Sequence, residues 1–150
     1  MNLNYFTDYS LRVLIYLAIK GERATTQEIA KAFKISPNHL VKVAHRLSGL
    51  RLIRSTKGRF GGIELGLSPE KINIGAVVEL IEPMVLVECF SKEENTCPIA
   101  GVCDLEVILH RAQQSFLNEL KRITLADLMK SRWALQKRKR LELMNTSVKR

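Results

Sequence analysis

From residue 8 to residue 21 the chain reads DYSLRVLIYLAIKG, in which Leu11, Val13, Leu14, Tyr16 and Leu17 leave little room for a polar face. That pattern predicts a mostly apolar helix, with Thr7 as its N-cap and Gly21 as its stop. Thr25-Thr26-Gln27-Glu28 then fits a capping box and opens a short second helix running to Phe33. After the tight connection Lys34-Ile35, Ser36 and Pro37 offer an N-cap and a first helical residue for a third helix through NHLVKVAHRLSGL. Leu40, Val41, Val43, Ala44, Leu47 and Leu50 form its buried stripe, leaving Asn38, His39, Lys42 and Arg46 for a partner. The periodicity then changes from helical to alternating. Residues 52–56 and 63–67 read as two strands joined by a glycine-rich turn, with Lys57 and Arg59 at its tip.

Three helices followed by a basic hairpin make a mainly α protein of the winged helix-turn-helix class. In such a fold the third helix enters the major groove of DNA and the wing arginine suits the minor groove. Thr26, Ser36, Asn38, His39, Lys42 and Arg59 are the candidate DNA-binding residues. Farther on, Leu105, Ile108, Leu109, Ala112, Phe116, Leu120 and Ile123 recur at helical spacing, a stripe too long for a small monomer to cover alone. Pairing with a second copy covers it, and a two-fold homodimer matches palindromic operator half-sites. The stripe can also pack against the chain's own winged-helix core, and different parts are expected to do each. The organisation expected is a DNA-binding region over 1–82, a cysteine-rich loop over 83–103, a dimerisation helix and a short following helix over 104–130, and a basic tail over 131–150.

Charge adds a direction to this plan. The 150 residues carry a formal net charge of +9, divided as +6 over residues 1–80, −3 over 81–130 and +6 over 131–150. A basic N-terminal half is what phosphate neutralisation requires. The terminal run Lys137-Arg138-Lys139-Arg140 reads as a solvated tail and is assigned no site. No stretch approaches eighteen consecutive apolar residues, and the first residues lack the basic and apolar segments of a secretory signal, so a cytoplasmic protein without membrane contact is expected. Enzymatic function is not expected: there is no nucleophile with a paired base, no phosphate-cradling glycine loop and no signature of metal-activated water.

All three cysteines fall in CFSKEENTCPIAGVC, as Cys89, Cys97 and Cys103. In a reducing compartment such a trio points to metal binding or thiol chemistry rather than a disulfide framework. Thiolates suit iron–sulfur clusters and zinc, and separations of seven and five residues let one loop wrap a single group. Structural zinc, a thiol sensor and ordinary core cysteines are the other readings of the trio. The polar stretch Glu93, Glu94 and Asn95 argues for solvent access there.

LNYFTDYSLRVLIYLA, ISPNHLVKVAHRLSGL, RFGGIELG, INIGAVVELIEP and CPIAGVC together resemble the Rrf-type winged-helix iron–sulfur transcriptional regulators, over about residues 1–130. FTDYSLR, SPNHLVK, LVECF and ITLADL are most similar to the nitric-oxide-responsive repressors within that family. The resemblance implies a cluster held by Cys89, Cys97 and Cys103, [4Fe–4S] with [2Fe–2S] as the alternative. Some members complete the site with a histidine three residues after the last cysteine, where this chain has Glu106. The matching alternative is a carboxylate from the first helix of the other subunit, here Asp8, whose position at a helix start is also explained by the helix dipole alone. The function implied is a homodimeric repressor that releases operator DNA when nitric oxide destroys the cluster. Two other readings stand beside it: a redox- or cluster-status-sensing regulator of the same family, and a small metal-binding interaction protein with no DNA target.

Overall fold

The computed structural model describes residues 2–59, 61–91, 95–130 and 136. The first helix, α1 (Tyr5–Lys20), starts from Asn4 rather than Thr7: the Asn4 side chain accepts the Thr7 backbone N–H at 2.8 Å. Asparagine caps at least as well as threonine, and the earlier start places Phe6 and Tyr9 against the core. Thr7 is consequently buried within the first turn, its hydroxyl without a hydrogen-bond partner among the described residues. Gly21 ends the helix as expected, at φ 71° and with its N–H returned to the Leu17 carbonyl.

In α2 (Thr26–Phe33) the Thr25 hydroxyl caps the Glu28 N–H at 3.1 Å. The Glu28 carboxylate also fastens α2 to α1, accepting the Tyr16 hydroxyl at 2.7 Å and the Lys20 ammonium at 2.7 Å. Burial pushes the Tyr16 phenol upward, and its bond to Glu28 and the Glu28 charge push it the same way. For Glu28 burial acts upward too, but the bonds from Lys20 and Tyr16, the Lys20 charge and the Thr25 backbone outweigh it and hold the carboxyl below its usual range.

A carboxylate whose pKa is lower in the folded state contributes stability above its unfolded pKa and loses it as pH falls through the folded value. Glu28→Gln is therefore expected to reduce unfolding free energy at neutral pH by about 1 kcal/mol, charged hydrogen bonds being discounted for partial exposure. The deficit should shrink as the pH falls through and below the ordinary carboxyl range. Urea unfolding of both chains at neutral and acid pH measures it; an undiminished deficit in acid would mean that shape, not charge, is responsible.

Next, α3 (Pro37–Gly49) begins with Ser36 at the N-cap and Pro37 at the first position. Leu40, Val43, Ala44 and Leu47 are buried as expected, and Leu50 is partly buried. Val41 is not part of this stripe: it is 56% exposed. Positions 40, 43, 44 and 47 already fill the face toward α1 and α2, and position 41 lies about 100° around the helix, with Asn38, Lys42 and His45.

Strands β1 (Ile53–Thr56) and β2 (Gly62–Leu65) pair antiparallel from Ile53↔Leu65 to Thr56↔Gly62. They are shorter than the sequence suggested, because the Leu52 N–H turns back to the Leu47 carbonyl at 3.0 Å and Gly66 closes on Leu52 at 2.8 Å. Ala24, between α1 and α2, adds an isolated antiparallel bridge to β2 by exchanging both backbone bonds with Ile63, at 3.0 and 2.8 Å. Gly62 makes that approach possible: at φ 156°, a Cβ would come within 2.7 Å of the Ala24 carbonyl oxygen.

The rest of the chain folds back on this unit. Asn73 caps α4 (Ile74–Ile81) through its side-chain oxygen and donates its amide to the Lys121 carbonyl at 2.6 Å, at the end of α5 (Asp104–Lys121). Backbone bonds from Ile74 to Ile123 and from Leu125 to Ile72 complete the stitch before α6 (Leu125–Met129), which has a Thr124–Asp127 capping box. At Gly75 a Cβ would meet the Lys121 backbone nitrogen at 2.5 Å, so α4 and α5 touch where no side chain fits.

Consequently α5 is fixed at its C-terminal end and uncovered at its start. Leu120 and Ile123 pack against the core and Leu117 is buried, whereas Leu105 and Ile108 are 59% and 58% exposed. Gln113, outside the expected stripe, is also buried, donating to the Met84 carbonyl. Among the described residues no helix is long and apolar enough to cross a membrane.

Candidate functional site

Two regions carry the chemistry. On the first, α3 presents Ser36, Asn38, His39 and Lys42 on an exposed surface that also contains Val41 and His45. The Ser36 hydroxyl makes no capping bond, although its residue holds the N-cap position. Arg59 and Lys57 are exposed in the β1–β2 connection, while Thr26 is half-buried at the first position of α2. Phe60 lies outside the described residues. Hydrogen-bonding side chains and cations, the two kinds of group that DNA recognition draws on, thus share the helix and the hairpin. Arg46 differs from the sequence expectation in its use: it donates to the Leu80 carbonyl at 3.3 Å, tying α3 to the end of α4.

Behind this surface stands a polar and aromatic relay. Asp8 is paired with Arg12 at 2.7 Å, an i,i+4 bridge on α1 that is partly exposed. The Arg12 guanidinium lies 6.0 Å from the Tyr9 ring centre and 5.9 Å from that of Phe33. Tyr9 in turn faces the His39 ring at 6.2 Å. Asp8, singled out from sequence as a possible ligand, is therefore connected through Arg12 and Tyr9 to the exposed face of α3. Sequence reading passed over Arg12; its spacing of four from Asp8 was the available signal.

The second region is the cysteine loop between α4 and α5. Cys89 sits in a short 3-10 turn, Glu88–Phe90, and Cys103 takes the N-cap position of α5. All three thiols are free and half-buried. Burial pushes the Cys89 thiol up, followed by the Glu106 charge and then by Cys97 and Cys103, so the trio and Glu106 share one electrostatic neighbourhood. Among the described residues, no three His, Cys, Asp or Glu side chains stand close enough to hold a metal ion. The donor chemistry nevertheless fits an iron–sulfur cluster: it offers separate iron atoms to separate thiolates and relieves the repulsion among them.

Carboxylates hold the loop in place. One Glu88 oxygen accepts both the Thr96 backbone N–H and the Thr96 hydroxyl, each at 2.6 Å. The Glu106 carboxylate accepts the Gly101 N–H at 3.0 Å, so it already has a partner inside the Cys97–Cys103 turn. On the far side of Cys89, the Phe90 and His110 rings stack 3.7 Å apart at 9°. Glu88, Thr96 and the ring pair were not foreseen, since contacts across eight and twenty residues have no short-range pattern. Glu93, Glu94 and the tail cations Lys137 to Arg140 lie outside the described residues.

Residues 3–131 match the family model Rrf2, described as an iron-dependent transcriptional regulator. The chain is 47% identical over 139 residues to the HTH-type transcriptional regulator NsrR of Halalkalibacterium halodurans, covering 91% of this chain and 95% of that protein. It is 45% identical over 140 residues to the NsrR of Bacillus subtilis, covering 91% and 96% respectively. Among solved structures, the global cysteine regulator CymR of B. subtilis aligns with a TM-score of 0.67 at 26% identity, over 85% of this chain and 95% of that one. IscR of T. potens aligns with a TM-score of 0.69 over 87% of each chain, and at 20% identity that likeness concerns the fold. These relatives are transcriptional regulators, not enzymes, and share the mainly helical winged-helix architecture. The chain belongs to the Rrf2 family of transcriptional regulators.

Proposed function

We propose that this chain is a cytoplasmic, nitric-oxide-responsive repressor that binds palindromic operator DNA as a homodimer while an iron–sulfur cluster, [4Fe–4S] in our reading, is in place. The observation that carries the proposal is the combination of an exposed α3 face and hairpin with a single loop, between α4 and α5, that contains Cys89, Cys97 and Cys103 as free, half-buried thiols. Relatives named NsrR at 45–47% identity support it. Cys89, Cys97 and Cys103 hold the cluster, with Asp8 offered across the dimer as the oxygen donor. Glu106 is the competing oxygen donor; its carboxylate is engaged by the Gly101 N–H as that of Asp8 is by Arg12.

When bound, the cluster supplies iron as the point of attack for nitric oxide. The protein's part is mechanical. Cys103 stands at the N-cap position of α5, whose far end is stitched to α4, so tethering Cys103 to Cys89 and Cys97 would fix the helix at both ends. The exposed Leu105 and Ile108 form the surface on which two copies pair, and the orientation of α5 then sets the separation of the two α3 helices. Half-site spacing on DNA is a geometric requirement, so a small rotation at this interface releases the operator. Asp8 adds a second route, because withdrawing it from Arg12 removes the carboxylate that steadies the guanidinium against Tyr9, the neighbour of His39.

The test uses the full chain isolated without oxygen and a duplex selected by it from a random pool. Titration with nitric oxide is expected to bleach the visible spectrum and release the duplex over the same range of nitric oxide per cluster. If DNA stays bound through that change, while oxidation or reduction of the cluster releases it, the redox-sensing reading replaces this one.

A further inference from the structure

We infer that Glu88 is a positioning residue for the cysteine loop, its carboxylate clasping Thr96 so that Cys89 and Cys97 are presented together to the cluster. This rests on the cluster reading above and adds to it a residue outside the ligand set.

Glu88 immediately precedes Cys89, and Thr96 immediately precedes Cys97. The same Glu88 oxygen receives the backbone N–H and the hydroxyl of Thr96, both at 2.6 Å. Joining these neighbours closes the segment between the two thiols into a loop whose ends are held side by side, independently of any metal. Closing such a loop has an entropic cost that ligation otherwise has to overcome. Two further contacts keep the closed ends from sliding. The Asn95 side chain accepts the Cys97 N–H at 3.0 Å, and Phe90 stacks on His110 of α5.

Glu88 is exposed, and what it offers the loop is one carboxylate oxygen that accepts both the Thr96 hydroxyl and the Thr96 backbone N–H. Its role is thus as an acceptor of two hydrogen bonds. A glutamine can accept the same pair through its amide oxygen; an alanine cannot. Supporting groups of this kind typically change metal affinity by roughly 10- to 100-fold.

The experiment compares the wild-type chain with Glu88→Ala and Glu88→Gln, each isolated without oxygen. Iron and sulfide per chain are determined, and loss of the visible spectrum is followed after adding an iron chelator. Amide hydrogen exchange at Thr96 in the metal-free chains reports the clasp without the cluster. Glu88→Ala is expected to lose its cluster roughly tenfold faster than wild type and to leave the Thr96 amide unprotected. Glu88→Gln is expected to keep both properties near wild type. Equal cluster retention in wild type and Glu88→Ala overturns the clasp; loss in Glu88→Gln as fast as in Glu88→Ala shows action through charge or direct ligation and overturns it equally. A wild-type chain that binds no iron or sulfide defeats the cluster reading instead, and Thr96 exchange then decides whether the clasp exists.

Discussion

Alanine at Cys89, Cys97 or Cys103 is expected to give a chain that folds normally and contains no iron–sulfur cluster after isolation without oxygen. Each thiol is half-buried and outside the packed core, so the loss of its sulfur removes little apolar contact. Ligation responds differently, because a cluster left on two thiolates gains too little from the protein to overcome ordering of the loop. Near-complete loss of iron and sulfide in each variant, with an unchanged unfolding midpoint in urea for the metal-free chains, is the expected pattern. Asp8→Ala should behave in another way. Three thiolates remain, so a cluster assembles, but its fourth position lies open to buffer and chelator and the spectrum decays faster than in wild type. Since Asp8 also pairs with Arg12 on the helix surface, its removal costs at most about 0.5 kcal/mol of stability. Zinc in place of iron in the wild-type chain would defeat the cluster; a cluster indifferent to Asp8→Ala would remove Asp8 from the ligand set.

The readability of this chain follows the range of the interactions involved. Local chemistry was legible: Gly21 as the end of α1, Thr25 as the cap of α2 and the Ser36-Pro37 start of α3 depend on residues within one turn of one another. Competition between two adequate local signals was less so. Asn4 and Thr7 can both cap, and the choice went to the one that buries Phe6 and Tyr9. Val41 shows the same limit, since periodicity admits it to either edge of the α3 stripe and only the volume already occupied by Leu40, Val43, Ala44 and Leu47 excludes it. On α5, Leu117 and Gln113 are buried by the approach of α4 and of the loop after α4 that contains Met84, a tertiary fact with no trace in the helix's own pattern. The cysteines stood out through their clustering in the sequence. Glu88, Thr96 and the Phe90–His110 stack did not, because a loop is fixed by contacts whose sequence separation is arbitrary.

Lys42→Ala and Asn38→Ala should separate two components of DNA binding that the exposed face of α3 combines. Both side chains project from the first turns of the helix that would lie in the major groove, and both are exposed. Lysine contributes a cation that displaces a condensed counterion from the phosphate backbone, whereas asparagine contributes a donor and an acceptor that match the edge of adenine. Removing Lys42 is therefore expected to weaken binding to selected and unselected duplexes alike and to lower the slope of log affinity against log salt by about 0.9 for each chain's lost contact. Removing Asn38 should leave that slope unchanged and reduce preference for the selected duplex, by about 1–3 kcal/mol for one lost paired contact. Arg59→Ala in the hairpin should follow the lysine pattern, with its largest effect on duplexes containing a narrow A·T-rich minor groove. Titrations at several salt concentrations, with the cluster intact in every variant, distinguish these outcomes. Affinity and salt slope unchanged in both Lys42→Ala and Arg59→Ala would mean that α3 and the hairpin do not face DNA, and the docking geometry would have to be abandoned.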